Sequence, residues 1–336
     1  MKAQAESLRT AQATLASALA AMDLPPWRDG ETVAAVAMGA SSHSAEALVA
    51  VLAQAGVRGV NLTASDLELA RDGFQPADHY IVVSESGRSP EPIRAAEHLT
   101  PGRRIAITND PASPLARAVD FVLPTGGFPD SRVYTSGYTA TLLAYELLIS
   151  KQLSSHRVSI PVDVPSLVSR MMADYAGVTD DAAQLLEKVR SIDFVARGVS
   201  MASAAEGALV FREAARVHAT AYETHQYLHG PMEALGPDSG VIVFGEGREL
   251  SMLDSVLDRN VSVLLVTHSP EHDLMRPRHD NLRVIRLPKD LTGFDRAIVE
   301  VVLMQLVAAA LTANLGLDIN EFVFNQADTK LKLSDD

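Results

Sequence analysis

Short runs of β-branched and other apolar residues alternate with longer segments of helical periodicity along the chain. The runs lie at 32–38, 79–84, 104–108 and 121–124 in the first half, and at 193–197, 241–244, 261–267 and 283–287 in the second. Most are continuously apolar rather than alternating, which is typical of strands covered on both faces by helices. The pattern predicts an α/β protein whose parallel sheets are flanked by helices.

The predicted elements fall into two similar halves. Segments 138–151 and 164–189 are helical in pattern, and a connector with two prolines lies between them at 154–165. A chain of 336 residues fits two domains of about 150 residues each. We therefore predict a first domain over 1–160 that includes an N-terminal helix, a second over 161–320, and a C-terminal tail over 321–336.

A weak internal repeat supports two copies of one fold. A glycine ends the first predicted strand of each half, at Gly39 and Gly198, and small hydroxyl residues follow it. An Ala-Glu pair then opens a helical segment, with Glu46 in one copy and Glu206 in the other. Because short segments of small residues also resemble each other by chance, the repeat adds only modest support.

Composition excludes several classes of protein. The net charge is −13, which disfavours general binding to nucleic acid or to anionic membranes. The N-terminal residues lack the pattern of a signal peptide, and the most apolar stretch, 297–315, contains Glu300. We expect that stretch to be a buried helix rather than a membrane span. The chain contains no cysteine, so thiolate metal sites and cysteine nucleophiles are excluded, and a cytoplasmic location is weakly favoured.

A polar turn in the first half has the composition of a phosphate-binding loop. Ser84-Glu-Ser-Gly-Arg-Ser-Pro90 follows a predicted strand and precedes a predicted helix, where exposed backbone N–H groups attract anions. A serine-rich cap of an ordinary helix would have the same composition, so the segment alone leaves both interpretations open. A second hydroxyl cluster, with Ser41 and Ser44, follows Gly39. The glycine fingerprint of dinucleotide-binding proteins is missing there, which disfavours a nicotinamide cofactor.

The second half has candidates for proton transfer. Glu206 and Glu213 are seven residues apart in a predicted helical run that continues to His218, and His229 precedes Gly-Pro. A carboxylate and an imidazole are the groups that enolisation beside a carbonyl requires. Alternatively, Glu213 is a solvated surface residue and His218 a buried, hydrogen-bonded one. His225 and His229 have the spacing of a metal-ligand pair, but Gly230-Pro231 would end a helix carrying both.

These segments resemble the SIS (sugar isomerase) family, and in particular the tandem-SIS isomerase half of glucosamine–fructose-6-phosphate aminotransferase. The loop 84–89 resembles the family's Ser-x-Ser-Gly-x-Ser/Thr phosphate loop, and the spacing from Glu206 through Glu213 to His229-Gly-Pro resembles its catalytic segment. The resemblance implies two flavodoxin-like SIS domains and a homodimer with shared active sites. It implies no metal or redox cofactor.

The resemblance also implies roles for particular residues. Glu213 would move a proton between C1 and C2 of a sugar phosphate, His229 would assist ring opening, and Glu206 would line the site. The phosphate would be held by four serines: Ser41, Ser84, Ser86 and Ser89. The implied activity is aldose–ketose isomerisation of a sugar 6-phosphate, with an amino sugar and loss of its amine as the extended form. A non-catalytic phosphosugar-binding regulator is the alternative.

The chain departs from the family pattern at several positions. Glu85 replaces the usual glutamine of the phosphate loop, Val210 replaces a lysine, and Tyr134-Thr135-Ser136 replaces a Ser-Thr-Lys segment. Asp328 stands where the aminotransferase tail has a lysine that meets the open-chain ketose, with Lys330 and Lys332 nearby. Without cysteine, the chain lacks the nucleophile that releases ammonia from glutamine, so we do not expect a complete aminotransferase.

Overall fold

A computed structural model of the chain describes residues 3–153, 163–270, 274, 278–319, 321, 323, 324, 326 and 328–331. The chain divides into two compact units. The first comprises Met1–Pro165 together with Val323–Asp336, and the second comprises Ser166–Phe322. Most of the predicted connector, 154–162, lies outside the described residues.

The first unit is built on a five-stranded parallel sheet in the order β2-β1-β3-β4-β5. Its strands are β1 (Thr32–Ala37), β2 (Arg58–Thr63), β3 (His79–Val83), β4 (Arg104–Thr108) and β5 (Phe121–Pro124). Its helices are α1 (Gln4–Ala21), α2 (Gly39–Gln54), α3 (Ala64–Leu67), α4 (Pro90–His98), α5 (Pro114–Ala118) and α6 (Ser136–Gln152).

The second unit repeats this arrangement with a sheet in the order β10-β9-β8-β6-β7. Its strands are β6 (Ser191–Ala196), β7 (His218–Glu223), β8 (Ser239–Phe244), β9 (Ser262–Thr267) and β10 (Leu282–Arg286). The helices of this part of the chain are α7 (Val164–Asp174), α8 (Ala176–Leu186), α9 (Ser200–Val210), α10 (Thr224–Leu228), α11 (Arg248–Leu257) and α12 (Gly293–Asn314). A π-helical turn (Phe211–Ala215) extends α9, and a 3₁₀ helix (Pro231–Ala234) follows α10.

The predicted fold class is confirmed, since both sheets are parallel and flanked by helices. In each sheet the chain runs from its first strand to an edge strand on one side and then crosses to the other side. The carboxyl ends of β1 and β3, and likewise of β6 and β8, are therefore neighbours whose following loops diverge. Such switch points are where α/β sheets of this order bind ligands.

Continuous apolar burial explains why the central strands were recognisable. Five of the six residues of β1 and all six of β8 are buried. On α1, Leu8, Ala11, Leu15 and Leu19 recur at helical spacing and are buried, and this face packs on α6. The apolar material needed for two cores therefore lies in the central strands and in one face of each covering helix.

Two of the four edge strands, β2 and β7, differ from the sequence interpretation. β2 was not predicted because it is partly exposed and mixes polar with apolar residues. β7 occupies the corresponding edge of the second sheet and is also partly exposed, and it begins at His218, which was predicted to end a helical run. That prediction was wrong: Arg216 has a left-handed backbone with φ of 56°, which ends the helical segment before β7.

α12 corresponds to the apolar stretch expected to be a buried helix. Among the described residues it is the one helix long and apolar enough to cross a membrane, yet 72% of its most apolar window is buried inside the protein. It also carries Arg296 and Glu300, which form an ion pair of 2.7 Å. Burial against protein, rather than against lipid, accounts for its composition.

Candidate functional site

The first candidate site is the loop 84–89, named here the anion loop, which connects β3 to α4. Ser84 is buried and its Oγ donates to Oγ of Ser89 at 3.3 Å, while Ser86 Oγ accepts from the backbone N–H of Arg88 at 3.3 Å. Pro90 occupies the first turn of α4, where its missing N–H is not needed. The three hydroxyls are thus gathered over a helix N-terminus, an arrangement suited to an anion.

Gly87 is required by the shape of this loop. Its φ is +60°, and its backbone N–H donates to the Ser84 carbonyl at 3.0 Å. A Cβ at this position would lie 2.1 Å from Oγ of Ser113 and 2.8 Å from Oγ1 of Thr108. Only glycine therefore allows the loop to turn and to pack directly on the start of α5.

Ser41 lies at the same edge of the sheet. It belongs to the first turn of α2, two residues after Gly39, whose φ is +53°. The strands that precede the two segments are paired, with Ala37 opposite Val83. The structure therefore brings Ser41 and the anion loop to one switch point. Ser44 turns inward instead, bonding the Ser41 carbonyl at 2.7 Å and the Tyr145 hydroxyl at 3.1 Å.

Asn109, which follows β4, holds the anion loop from behind. Its backbone N–H donates to the carbonyl of Glu85 at 2.8 Å, and its Nδ2 donates to Oε1 of Glu85 at 3.1 Å. The Glu85 side chain lies against Gly137 at the start of α6. Burial raises the pKa of Glu85, and the nearby Asp130 carboxylate adds to this rise.

Two cations offset part of the rise in the pKa of Glu85. Arg88 and Lys330 both lower the pKa of Glu85. Lys330 hydrogen-bonds the Tyr134 hydroxyl and stands 4.8 Å from the centroid of its ring, and the next N–H, of Leu331, donates to the Arg88 carbonyl at 2.9 Å. The tail thus supplies a cation close to the anion loop, while Lys332 lies outside the described residues.

The second candidate site lies at the end of α9. Glu206 is on α9 and is 2% exposed, whereas Glu213 is partly buried and sits in the π-helical turn. A π turn adds a residue to the helical repeat, so the spacing of Glu206 and Glu213 is not that of a continuous α-helix. Such turns are frequent at functional sites.

His229 lies beyond β7 and α10 and is exposed. Gly230, with φ of 153°, follows it and leads into the 3₁₀ helix, so the expected turn is present. His225 is on α10, and its Nε2 is 3.4 Å from Nη1 of Arg197 at the end of β6. Glu223 caps α10 by accepting from two backbone N–H groups, at 2.8 and 2.9 Å.

Sequence reasoning missed two residues that shape the first site. Asn109 showed no signal beyond its position after a predicted strand, the place where such side chains serve a switch point. Lys330 was considered only as a replacement for the family lysine, and its contact with Tyr134 joins residues 196 positions apart. Only the folded chain shows that pairing.

A family model described as the SIS domain matches residues 28–151 and 185–315. The isomerizing glutamine–fructose-6-phosphate aminotransferase of Sulfurisphaera tokodaii is 25% identical over 259 residues, covering 75% of this chain and 44% of that protein. The chain therefore spans less than half the length of this curated relative.

Solved structures share the fold across nearly the whole chain. The C-terminal domain of glucosamine-fructose-6-phosphate aminotransferase from Francisella tularensis gives a TM-score of 0.77 at 19% identity, covering 95% of this chain and 98% of that one. Glucosamine-6-phosphate deaminase from Thermotoga maritima gives 0.72 at 16% identity and covers 97% of each chain. At these identities the likeness establishes the fold, and the chemistry must be argued from the residues.

Proposed function

Because the chain belongs to the SIS domain family, we propose that it is a phosphosugar isomerase that acts on an amino sugar 6-phosphate. The reaction is aldose–ketose isomerisation, extended by loss of the amine as ammonia or as a larger amine. The observation that carries this proposal is the cluster of serine hydroxyls around Gly87 at the β1/β3 switch point.

In this proposal the phosphate is held mainly by hydrogen bonds rather than by a large cluster of positively charged side chains. Ser84, Ser86 and Ser89 of the anion loop donate hydroxyl hydrogen bonds, Ser41 adds one from the start of α2, and backbone N–H groups add the rest. Arg88 and Lys330 supply local positive charge in a chain whose net charge is −13. The phosphate thereby fixes the sugar relative to the reacting carbons.

Glu213 is the proposed proton carrier. After His229 assists ring opening, the Glu213 carboxylate takes the proton from C2 of the aldose and returns it to C1, through an enediol or an enolamine. With an amino sugar, water then hydrolyses the C2 imine, and ammonia leaves as the ketose forms. Glu206, which is buried on α9 before the π turn, lines this site.

The proposal includes a cytoplasmic homodimer in which His229 completes the site of the neighbouring subunit. The exposure of His229 on an ordered turn supports this, because an exposed imidazole is accessible to a second chain. A shared site would couple activity to association of the subunits.

The decisive experiment is Glu213→Gln, assayed on hexose and hexosamine 6-phosphates while both ketose and ammonia are followed. We expect kcat to fall at least about 100-fold, since a general base is removed, with KM changed only a few-fold. Glu187→Gln is the control, because this exposed carboxylate accepts from Asn314 at 2.7 Å and its amide can still do so. Activity near wild type for Glu213→Gln would remove this residue from the mechanism.

Mixing Glu213→Gln with His229→Ala tests the shared site. Each homodimer should be inactive, whereas mixed dimers should regain activity in the sites that combine the two intact residues. No recovery, under subunit exchange confirmed by mass, would show that each chain has a self-contained site.

A phosphosugar-binding regulator is favoured by two substitutions, Val210 and Asp328, at positions where the family has lysine. Such a protein would bind sugar 6-phosphates through the anion loop and convert none of them. Calorimetric binding without formation of ketose or ammonia by the wild type would establish this alternative.

A further inference from the structure

The switch point of the second sheet contains a carboxylate of the protein itself. Gly198, with φ of +60°, and Ser200 follow β6 as Gly39 and Ser41 follow β1. Glu300, which is fully buried on α12, accepts from Oγ of Ser200 at 3.0 Å. A buried carboxyl group of the protein thus bonds the hydroxyl that corresponds to Ser41 in the first unit; burial raises the pKa of this group, and Arg296 offsets part of the rise.

Arg296 and Glu246 belong to the same hydrogen-bonded cluster as Glu300. Arg296 Nε donates to Oε1 of Glu300 at 2.7 Å, and its two terminal nitrogens donate to Glu246 at 3.1 and 3.2 Å. Glu246 follows β8, in the place where the anion loop follows β3, and also accepts from the backbone N–H of His268 at 3.0 Å. Through Glu246, the side chains of α12 therefore connect the ends of β8 and β9 with the start of α9.

The hydrogen bond between Ser200 and Glu300 also fixes the position of α9 along the axis of α12. Ser203 Oγ donates to the Ala297 carbonyl at 3.2 Å, one turn from the Ser200 bond. Farther along, Gly207 lets α9 pack closely on both β6 and α12, since a Cβ there would lie 2.6 Å from Phe194 of β6 and 3.3 Å from Met304 of α12. α9 continues directly into the π turn that carries Glu213.

We propose that Glu300 is a positioning residue for Glu213. It acts as the resident anion of the second switch point, sets the register of α9 along α12, and thereby places the π turn. This proposal rests on the proposed role of Glu213 in proton transfer. Its energetic basis is that a buried carboxylate with charged and hydroxyl donors is held in one geometry, whereas removal of its charge leaves Arg296 partly unpaired.

The test is Glu300→Gln, with Glu146→Gln as the matched control. Glu146 is a similarly buried glutamate on α6, the helix of the first unit that corresponds to α12. We expect Glu300→Gln to speed hydrogen exchange of backbone amides 200–215 at least about tenfold and to lower kcat at least about tenfold. Affinity for inorganic phosphate should change less than about twofold, and the control should leave exchange at 200–215 and kcat unchanged.

Glu300→Gln removes the charge but keeps an oxygen that can accept from Ser200, whereas Ser200→Ala removes the hydrogen bond between Ser200 and Glu300 itself, and this second variant serves if Glu300→Gln does not fold. It should give a smaller effect in the same direction on both readouts. Unchanged exchange at 200–215 in Glu300→Gln, or in Ser200→Ala where only that variant folds, would overturn the proposal, as would faster exchange with unchanged kcat. If the wild type converts no sugar phosphate while exchange still responds to Glu300, the proposed function fails and the proposal fails in its catalytic part, but Glu300 is shown to hold α9.

Discussion

The two units have the same strand order but differ in the chemistry at their switch points. In the first, Ser84 and Ser89 bond each other around a tight glycine turn, and a lysine of the tail lies nearby. In the second, Arg296 donates to both Glu246 and Glu300, and Glu300 accepts from the Ser200 hydroxyl. One crevice is therefore suited to an external anion, whereas the other is held by an internal one. The fold provides the location, and side chains decide its use.

The largest expected effect comes from Gly87→Ala in the anion loop. The positive φ and the 2.1 Å approach to Ser113 should together lower the free energy of unfolding by about 3 kcal/mol. Gly39→Ala is the matched control, because it has a similar φ but nothing within 4 Å of its added Cβ, so about 1 kcal/mol is expected. Urea unfolding followed by fluorescence of the single tryptophan, Trp27 in the first unit, measures both. Equal losses would show that the loop can yield to the added methyl group.

The contributions of Asp120 and Asp295 to the free energy of unfolding should change with pH in opposite directions, and this should distinguish the two units. Hydrogen bonds from Arg104 lower the pKa of Asp120 in the first unit to about 2, so its stabilisation is complete above about pH 4 and is lost as pH falls toward 2. Burial, with Asp290 nearby, raises the pKa of Asp295 in the second unit to about 6. Its unfavourable contribution is present above pH 6 and is relieved as pH falls from 6 to about 4.

Two variants isolate these contributions. Asp295→Asn should raise the free energy of unfolding at pH 7 by about 2 kcal/mol and give no gain at pH 4. Asp120→Asn should instead lower it by about 1 kcal/mol at pH 7, because solvent screens this surface ion pair, with little difference from wild type near pH 2. Hydrogen exchange of each unit, measured from pH 7 to pH 2, assigns the change to its unit. A gain from Asp295→Asn that persisted at pH 4 would contradict this account of its burial.

The smallest expected effect compares one serine from each switch point. Ser84→Ala should weaken binding of inorganic phosphate about tenfold, the loss of one hydrogen bond to a charged ligand. Ser200→Ala should leave phosphate affinity within about twofold while lowering the free energy of unfolding by about 1 kcal/mol. Isothermal titration and urea unfolding provide the two measurements. Weaker phosphate binding in Ser200→Ala would show that the second switch point also takes an anion.

Much of the fold followed from local patterns. The strands predicted at 104–108 and 121–124 have the same bounds in the structure; four of the five residues of β4 are buried, whereas β5 is partly buried apart from Leu123, which is fully buried. The edge strands β2 and β7 escaped prediction because one side of each sheet edge is exposed and the sequence is mixed. The end of α9 was also missed, because a π turn and a left-handed residue leave no pattern in composition.

The candidate sites were predictable to a similar extent. The anion loop and Glu213 stood out as dense polar motifs beside predicted strands and helices, whereas their roles remain proposals tested by the experiments above. Asn109 and Lys330 were not predicted, because their importance comes from contacts with Glu85 and Tyr134 that are distant in sequence.

The sequence by itself determined two parallel α/β units, a serine-rich loop after a buried strand, and a family resemblance across both halves. These follow from periodicity and from motifs whose residues are neighbours along the chain. Only the tertiary structure decided that Lys330 lies beside the anion loop and that Glu300 meets Ser200 100 residues away. The physical reason is that burying a charged side chain is costly unless it is paired and hydrogen-bonded. The residues that pair with it are distant in sequence and meet only when the helices pack on the sheet.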